Sequence, residues 1–193
     1  MKRRYFLFIL SFACIAFVVP GAALASECVD GTITASLVTE GEHIGLYKYT
    51  IEISWNTPQG LSNVTLDCGF DECACESSWW FDDPAGTGSG GDPDSCDFEF
   101  SGEFNCQGNP SIGIDHPILK WDAIQTEDCE AGATGSATLC FYTAAAPAPA
   151  SVPVILIKNG QNVCEGTIEG DCPFPCPVSI EEGTWSSLKA LYR

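Results

Sequence analysis

The chain is poor in bases, in imidazole and in long apolar runs. Eight Lys and Arg stand against 26 Asp and Glu, a formal net charge of −18. Lys2, Arg3 and Arg4 open the chain, so the rest holds only Lys48, Lys120, Lys158, Lys189 and Arg193. A surface with that balance repels phosphates, which excludes nucleic acid as a partner and disfavours an anionic membrane face. His43 and His116 are the only imidazoles. A hydrolytic triad needs a nucleophile, a base and an orienting acid within reach of one another. His116 sits in a turn-like Asp115-His-Pro117 and no Gly-x-Ser-x-Gly elbow occurs. No catalytic residue is assigned, and a non-enzyme is expected. Carboxylates are too numerous for any one pair to point to glycoside hydrolysis. Beyond the first 20 residues no apolar run reaches the ~20 residues of a spanning helix, so no membrane span is expected in the mature chain.

The one apolar run, Tyr5 to Val19, follows Met-Lys-Arg-Arg and precedes Pro20-Gly21 and Ala23-Leu-Ala25. A basic start, a short apolar core and a small-residue site make a secretory signal peptide of bacterial type, cleaved after Ala25. The expected organisation is a signal peptide over 1–25, one domain over 26–176 and a tail over 177–193, in a secreted or cell-surface protein. Twelve cysteines occur, and all but Cys14 follow the cleavage point: Cys28, Cys68, Cys73, Cys75, Cys96, Cys106, Cys129, Cys140, Cys164, Cys172 and Cys176. In a secreted chain this density reads as a disulfide framework, and the odd number leaves one thiol free or available for a disulfide-linked dimer. Zinc fits poorly, because Cys73-x-Cys75 lacks finger spacing.

Tyr47, Tyr49, Ile51, Ile53 and Trp55 alternate strictly with Lys48, Thr50, Glu52 and Ser54, the mark of a strand with one buried face. Asn56-Thr-Pro-Gln-Gly60 supplies turn chemistry, and a second strand carries Val64, Leu66 and Cys68. Further strands are expected over Cys28–Val38, Cys96–Cys106 with a kink or tight turn at Ser101-Gly102, Ile118–Ile124 and Ala137–Thr143. Val152–Lys158 and Gln161–Ile168 flank Asn159-Gly160, a hairpin signal of type I′. Asp82–Ser95 is expected to be an irregular loop because of its glycines and prolines. Ala144–Ala150 is an extended connector. Seven or more short strands predict an all-β, disulfide-rich antiparallel β-sandwich, immunoglobulin-like or jelly-roll-like. In the tail, Trp185, Leu188 and Tyr192 recur at helical spacing after Thr184, so a short C-terminal helix is expected there as a recognition element.

Tyr47-x-Tyr49-Thr50, Leu61-Ser-Asn63, Cys68, Lys120-Trp-Asp122 and Val154-x-x-x-Lys158-x-Gly160-x-x-Val163-x-x-Gly166-Thr-Ile-x-Gly170-x-Cys172 together resemble a family of secreted bacterial β-sandwich modules to which no catalysis is assigned. The ending Thr184-Trp-x-x-Leu-Lys-x-Leu-Tyr-Arg193 is similar to terminal tails of exported bacterial proteins. Asp171 departs from the family pattern, which has proline there. The resemblance implies a surface or matrix role and supplies no site residues.

Three binding chemistries are open. Trp79, Trp80 and Trp121 are candidate aromatic platforms for a carbohydrate-binding module. Asp82, Asp83, Asp92, Asp94 and Asp97 are candidate calcium ligands, though without EF-hand spacing; no other cofactor is expected. Asn63-Val-Thr65 matches a glycosylation acceptor. The expected function is a non-catalytic extracellular structural or adhesive module whose partner is an extracellular protein or glycan. Carbohydrate binding is the first alternative, and a secreted hydrolase the weakest.

Overall fold

The computed structural model describes residues 28–70, 72–75, 81–93, 95–149 and 152–173. The expected signal peptide over 1–25, the expected helical tail over 177–193 with Trp185, Leu188 and Tyr192, the side chain of Cys73 and the whole of Cys176 lie outside the described residues. The fold is all-β. Its strands are β1 (Val29–Leu37), β2 (Tyr47–Asn56), β3 (Asn63–Asp67), β4 (Asp82–Gly91), β5 (Cys96–Asn105), β6 (Ile118–Ile124), β7 (Thr134–Thr143), β8 (Pro147–Ala148), β9 (Val154–Asn159), β10 (Asn162–Thr167), β11 (Glu169–Gly170) and β12 (Cys172–Pro173). Ten of them form one sheet in the order β10-β9-β3-β6-β5-β4-β7-β2-β1-β11, and β12 pairs with β8. Every neighbouring pair in the large sheet is antiparallel except β1–β11.

Ten of the twelve strands thus belong to one continuous sheet, rather than being divided between the two layers of the expected sandwich. The sheet is nearly barrel-shaped because its last strands return to its first. Cys164 of β10 is bonded to Cys28, just ahead of β1. A Cβ on Gly166 would lie 2.6 Å from Val29 Cγ1, so only glycine allows this approach. Beyond β10, the Ile168 amide donates to Pro153 O, and Glu169 and Gly170 then pair with Thr32 and Ile33 of β1. One stretch of chain therefore touches both margins of the sheet.

The alternation expected of β2 holds: Tyr49, Ile51, Ile53 and Trp55 are buried while Glu52 and Ser54 are exposed. These residues join Val64, Leu66, Phe98, Phe100, Leu119, Trp121, Leu139, Phe141, Ile155 and Ile157 in one core. A smaller apolar cluster, Ile114, Ile118 and Leu156, seals the outer side of β6 and β9 beneath the 3₁₀ turn Pro110–Ile112. Among the described residues four disulfides staple the frame: Cys28–Cys164, Cys68–Cys172, Cys75–Cys106 and Cys96–Cys129.

Three local expectations are corrected. Asp82–Gly91 is a strand in the sheet interior, paired with both β5 and β7. Its glycines alternate. A Cβ on Gly86 would lie 2.4 Å from Leu139 Cδ2, and one on Gly88 would lie 2.5 Å from Phe98 Cζ. Large side chains of the flanking strands close over the glycines, so apolar burial on the neighbours replaces what the strand itself lacks. Gly102 in β5 marks no kink. It faces its partner Trp121, whose Cδ1 would be 2.7 Å from a Cβ there. The β9–β10 turn is Gly160-Gln161, one residue later than expected, with Asn159 opposite Asn162. Only Gly160 has positive φ, 62°, in keeping with a II′ turn. Asn159 stays in the strand because its parity is that of buried Ile155 and Ile157.

Two measurements check this packing. Gly88→Ala should destabilise the fold by about 1–3 kcal/mol through overpacking against Phe98, although alanine normally costs a strand less than glycine. Thr87→Ala, one residue earlier on the exposed face, should stay within about 0.5 kcal/mol of the parent in urea unfolding. Equal effects would mean that the rings do not close over the glycine. The second concerns Tyr49, which is fully buried and donates its hydroxyl to Ala145 O at 3.0 Å. Burial raises its pKa well above the ordinary tyrosine range, and Tyr47 and Asp171 add to the effect. A raised pKa stabilises the fold fully below the unfolded value of about 10, and that contribution is lost as pH climbs above it. Tyr49→Phe should therefore cost about 0.5–1.5 kcal/mol at neutral pH. Its deficit should shrink above pH ~10, when read in a Cys140→Ser background that suppresses thiol–disulfide exchange.

Candidate ligand-binding face

The outward positions of β1, β2, β7, β4 and β5 fall into register across the five strands. One row reads Asp30, Ser54, Ser136, Ser89, Asp97. The next, two residues along each strand, reads Thr32, Glu52, Thr138, Thr87, Glu99. This face holds a trough of about 820 Å³ lined by both rows. Its floor is hydroxyl-rich; Asp30 on β1 and Glu52 on the adjoining β2 stand toward one side, and Asp97 and Glu99 on β5 stand at the other. Ser89 Oγ and Ser136 Oγ are 3.0 Å apart. No basic residue lines this hollow. A second hollow of about 460 Å³ shares Thr87, Glu99 and Thr138 with it and continues toward Thr50, Lys48 and Cys140.

The face arises from alternation. Each strand places apolar side chains or glycine inward, so its Ser, Thr and acidic positions point outward together. On β4 the inward glycines leave Thr87 and Ser89 outward. Chemically the trough offers donors and acceptors on its floor, acceptors alone on its margins, and no aromatic ring for stacking, since Phe98 is buried.

The residues proposed from sequence are scattered. Trp121 is fully buried against Phe141 and Gly102, so it presents no platform to a sugar, which corrects its assignment as a ligand-binding residue. Trp79 and Trp80 lie outside the described residues. The calcium candidates do not converge. Asp82 and Asp83 start β4 and Asp92 follows its end, about 30 Å away at ~3.3 Å per residue. Asp97 stands in the trough and Asp94 lies outside the described residues. Among the described residues no group of three or more His, Cys, Asp or Glu is arranged to hold a metal ion.

Asp82 and Asp83 instead flank His43, with Asp82 Oδ2 3.5 Å from Nδ1 and Asp83 Oδ2 3.7 Å from Nε2. The imidazole stacks on Tyr142 at 3.9 Å between centroids, and Lys48 Nζ lies 5.8 Å from the same ring centre. This cluster fastens the β1–β2 loop to β4 and β7. His116 Nε2 is 3.0 Å from Asp67 Oδ2, and that carboxylate also accepts from the Gly69 amide. Among the described residues no hydroxyl or thiol is hydrogen-bonded to either imidazole. Asn63 and Thr65 are buried, so the acceptor motif is closed to modification in the folded chain.

Cys140 has no disulfide partner and is half-buried on the outward side of β7. Among the described residues it is the one cysteine outside a disulfide, and it lines the second hollow. No family model, no curated protein and no solved structure matches the chain. Among the described residues no helix is long and apolar enough to cross a membrane.

The placement of Cys140 is open to a direct count. Alkylation of the oxidised native chain followed by intact mass should show one label fewer in Cys140→Ser than in the parent. Labelling should be slow until denaturant is added, because the thiol is half-buried. An unchanged label count would remove Cys140 from the set of free thiols.

Proposed function

We propose that the protein is a secreted, non-catalytic structural or adhesive module that makes its contact through the trough on β1, β2, β7, β4 and β5. The carrying observation is the registered pair of Ser/Thr rows with carboxylates at both margins. A regular, shallow, hydrogen-bonding face of this kind suits an extended partner, since it repeats along the strand direction instead of converging on one point. The disulfide density suits an oxidising compartment, as does the leader pattern read from the first 25 residues. The resemblance to secreted bacterial β-sandwich modules agrees with this role. Its Tyr47-x-Tyr49-Thr50 lies on β2 and its Lys120-Trp-Asp122 on β6. Carbohydrate binding by aromatic stacking has lost Trp121 to the core, and nothing in the trough replaces it.

Ser136 is exposed near the middle of the floor. Ser136→Arg would fill the trough without touching the core. Purified parent and variant should unfold at the same temperature within a few degrees. Returned to washed cells of the producing strain that lack the chain, the parent should be retained at the surface and the variant released. Equal retention of both would overturn the assignment of the trough as the contact face.

A further inference from the structure

The occupant of the trough can be named by chemistry, and this step rests on the adhesive reading above. We propose that the trough binds an extended basic peptide segment, a short run of consecutive Lys or Arg laid parallel to the strands.

Three features converge on that ligand. The first is pitch. Asp97 and Glu99 stand two residues apart on the outward side of β5, and the two rows of the trough repeat at that spacing. Two residues of strand rise about 6.6 Å, which is also the separation of same-side side chains in an extended peptide. Residues i and i+2 of the ligand would therefore meet Asp97 and Glu99, while i+1 and i+3, which diverge to the other side, would meet Asp30 and Glu52 in the same order.

The second is the floor. Set on edge between the two margins, an extended peptide presents a row of backbone N–H and C=O groups downward. Hydroxyls both donate and accept, so a Ser/Thr floor satisfies such a row in any order. The hydroxyls of Thr32, Ser54, Thr87 and Thr138 make no hydrogen bond within the described chain, whereas Ser89 and Ser136 are paired. The third is charge. Four carboxylates line the main hollow with no base among them, on a chain of net charge −18. Such a field speeds encounter with a cation-bearing partner and rejects acidic ones. A polyanion would set like charge against the carboxylates, and a neutral glycan would hydrogen-bond to them but leave their charge uncompensated.

The test uses the full oxidised chain and two fluorescent peptides of equal charge. In one, four lysines are consecutive within a Gly/Ser frame; in the other, each lysine is separated by three Gly/Ser residues. Anisotropy titrations should show the consecutive peptide binding at least about tenfold more tightly, roughly 1.4 kcal/mol. The isosteric pairs Asp97→Asn/Glu99→Gln and Asp30→Asn/Glu52→Gln should each remove most of that binding. Glu40→Gln/Glu42→Gln, an equal change of charge on the exposed β1–β2 loop, which lines neither hollow, should not. Equal affinity for the two peptides, or equal loss in the control pair, would show attraction to net charge alone and overturn the proposal. Surface retention that is lost in Ser136→Arg without any peptide binding would sink this inference and leave the adhesive reading standing. Tight peptide binding without retention would do the reverse.

Discussion

The inward face of β4 is made of glycine, and the rest of the sheet is arranged around that fact. A strand without side chains cannot bury itself, so its neighbours must reach across it. Phe98 from β5 and Leu139 from β7 do so, at distances that a single methyl group at Gly88 or Gly86 would violate. The two halves of the sheet, one led by β2 and the other by β6, are thus drawn into one core through a strand that contributes almost no apolar area of its own. The same alternation sends Thr87 and Ser89 outward, into the middle of the trough. Core packing and candidate site are therefore two sides of one strand.

A curled sheet of this size still has margins, and unpaired margins invite pairing with other chains. Here β10 and β11 deal with both. The covalent bond from Cys28 to Cys164 and the bare Gly166 against Val29 bring the margins together, and the short parallel pairing of β11 on β1 completes the return. Cross-links that span long stretches of chain restrict the unfolded state most in the chain-entropy picture. Cys28–Cys164, 136 residues apart, and Cys68–Cys172, 104 apart, fall in that class. The frame is consequently fixed where the strand order closes, and the trough lies on strands whose own hydrogen bonding is complete on both sides or nearly so.

Much of the fold was legible because period 2 is a strong signal when the inward residues are large. Tyr47–Trp55 announces β2 without ambiguity, and Ile118–Ile124 and Ala137–Thr143 become β6 and β7. The same period runs through Gly86-Thr-Gly-Ser-Gly90, but glycine is normally a loop residue, and its alternation was masked by composition. Thr87 and Ser89 flanked by glycines were the available sign. The trough escaped for a different reason. Its rows exist only across strands, between residues as distant as Asp30 and Ser136, and register between distant strands is not written in any local window. Trp121 misled in the opposite direction, since an aromatic on a short strand looks the same whether it faces a ligand or a glycine across the sheet. The β9–β10 turn slipped by one residue because the burial parity of Asn159 outweighed the local preference for Asn-Gly.

Four carboxylates gathered on one sheet face carry an electrostatic cost. Like charges held near one another on cross-strand and diagonal positions destabilise a sheet, by tenths of a kcal/mol to about 1 kcal/mol per pair. Elsewhere acids stand beside other groups: Asp82 and Asp83 flank His43, Asp67 meets His116, and Asp122 lies 2.7 Å from Lys120 Nζ. Lys120 is thus placed against another acid, and Asp30, Glu52, Asp97 and Glu99 have no base in the main hollow. A fold under no other demand would relieve that repulsion by spreading the acids or by moving a lysine among them. Leaving it in place on a disulfide-stapled frame keeps the trough charged when empty, which is the condition under which a cationic partner gains most on arriving.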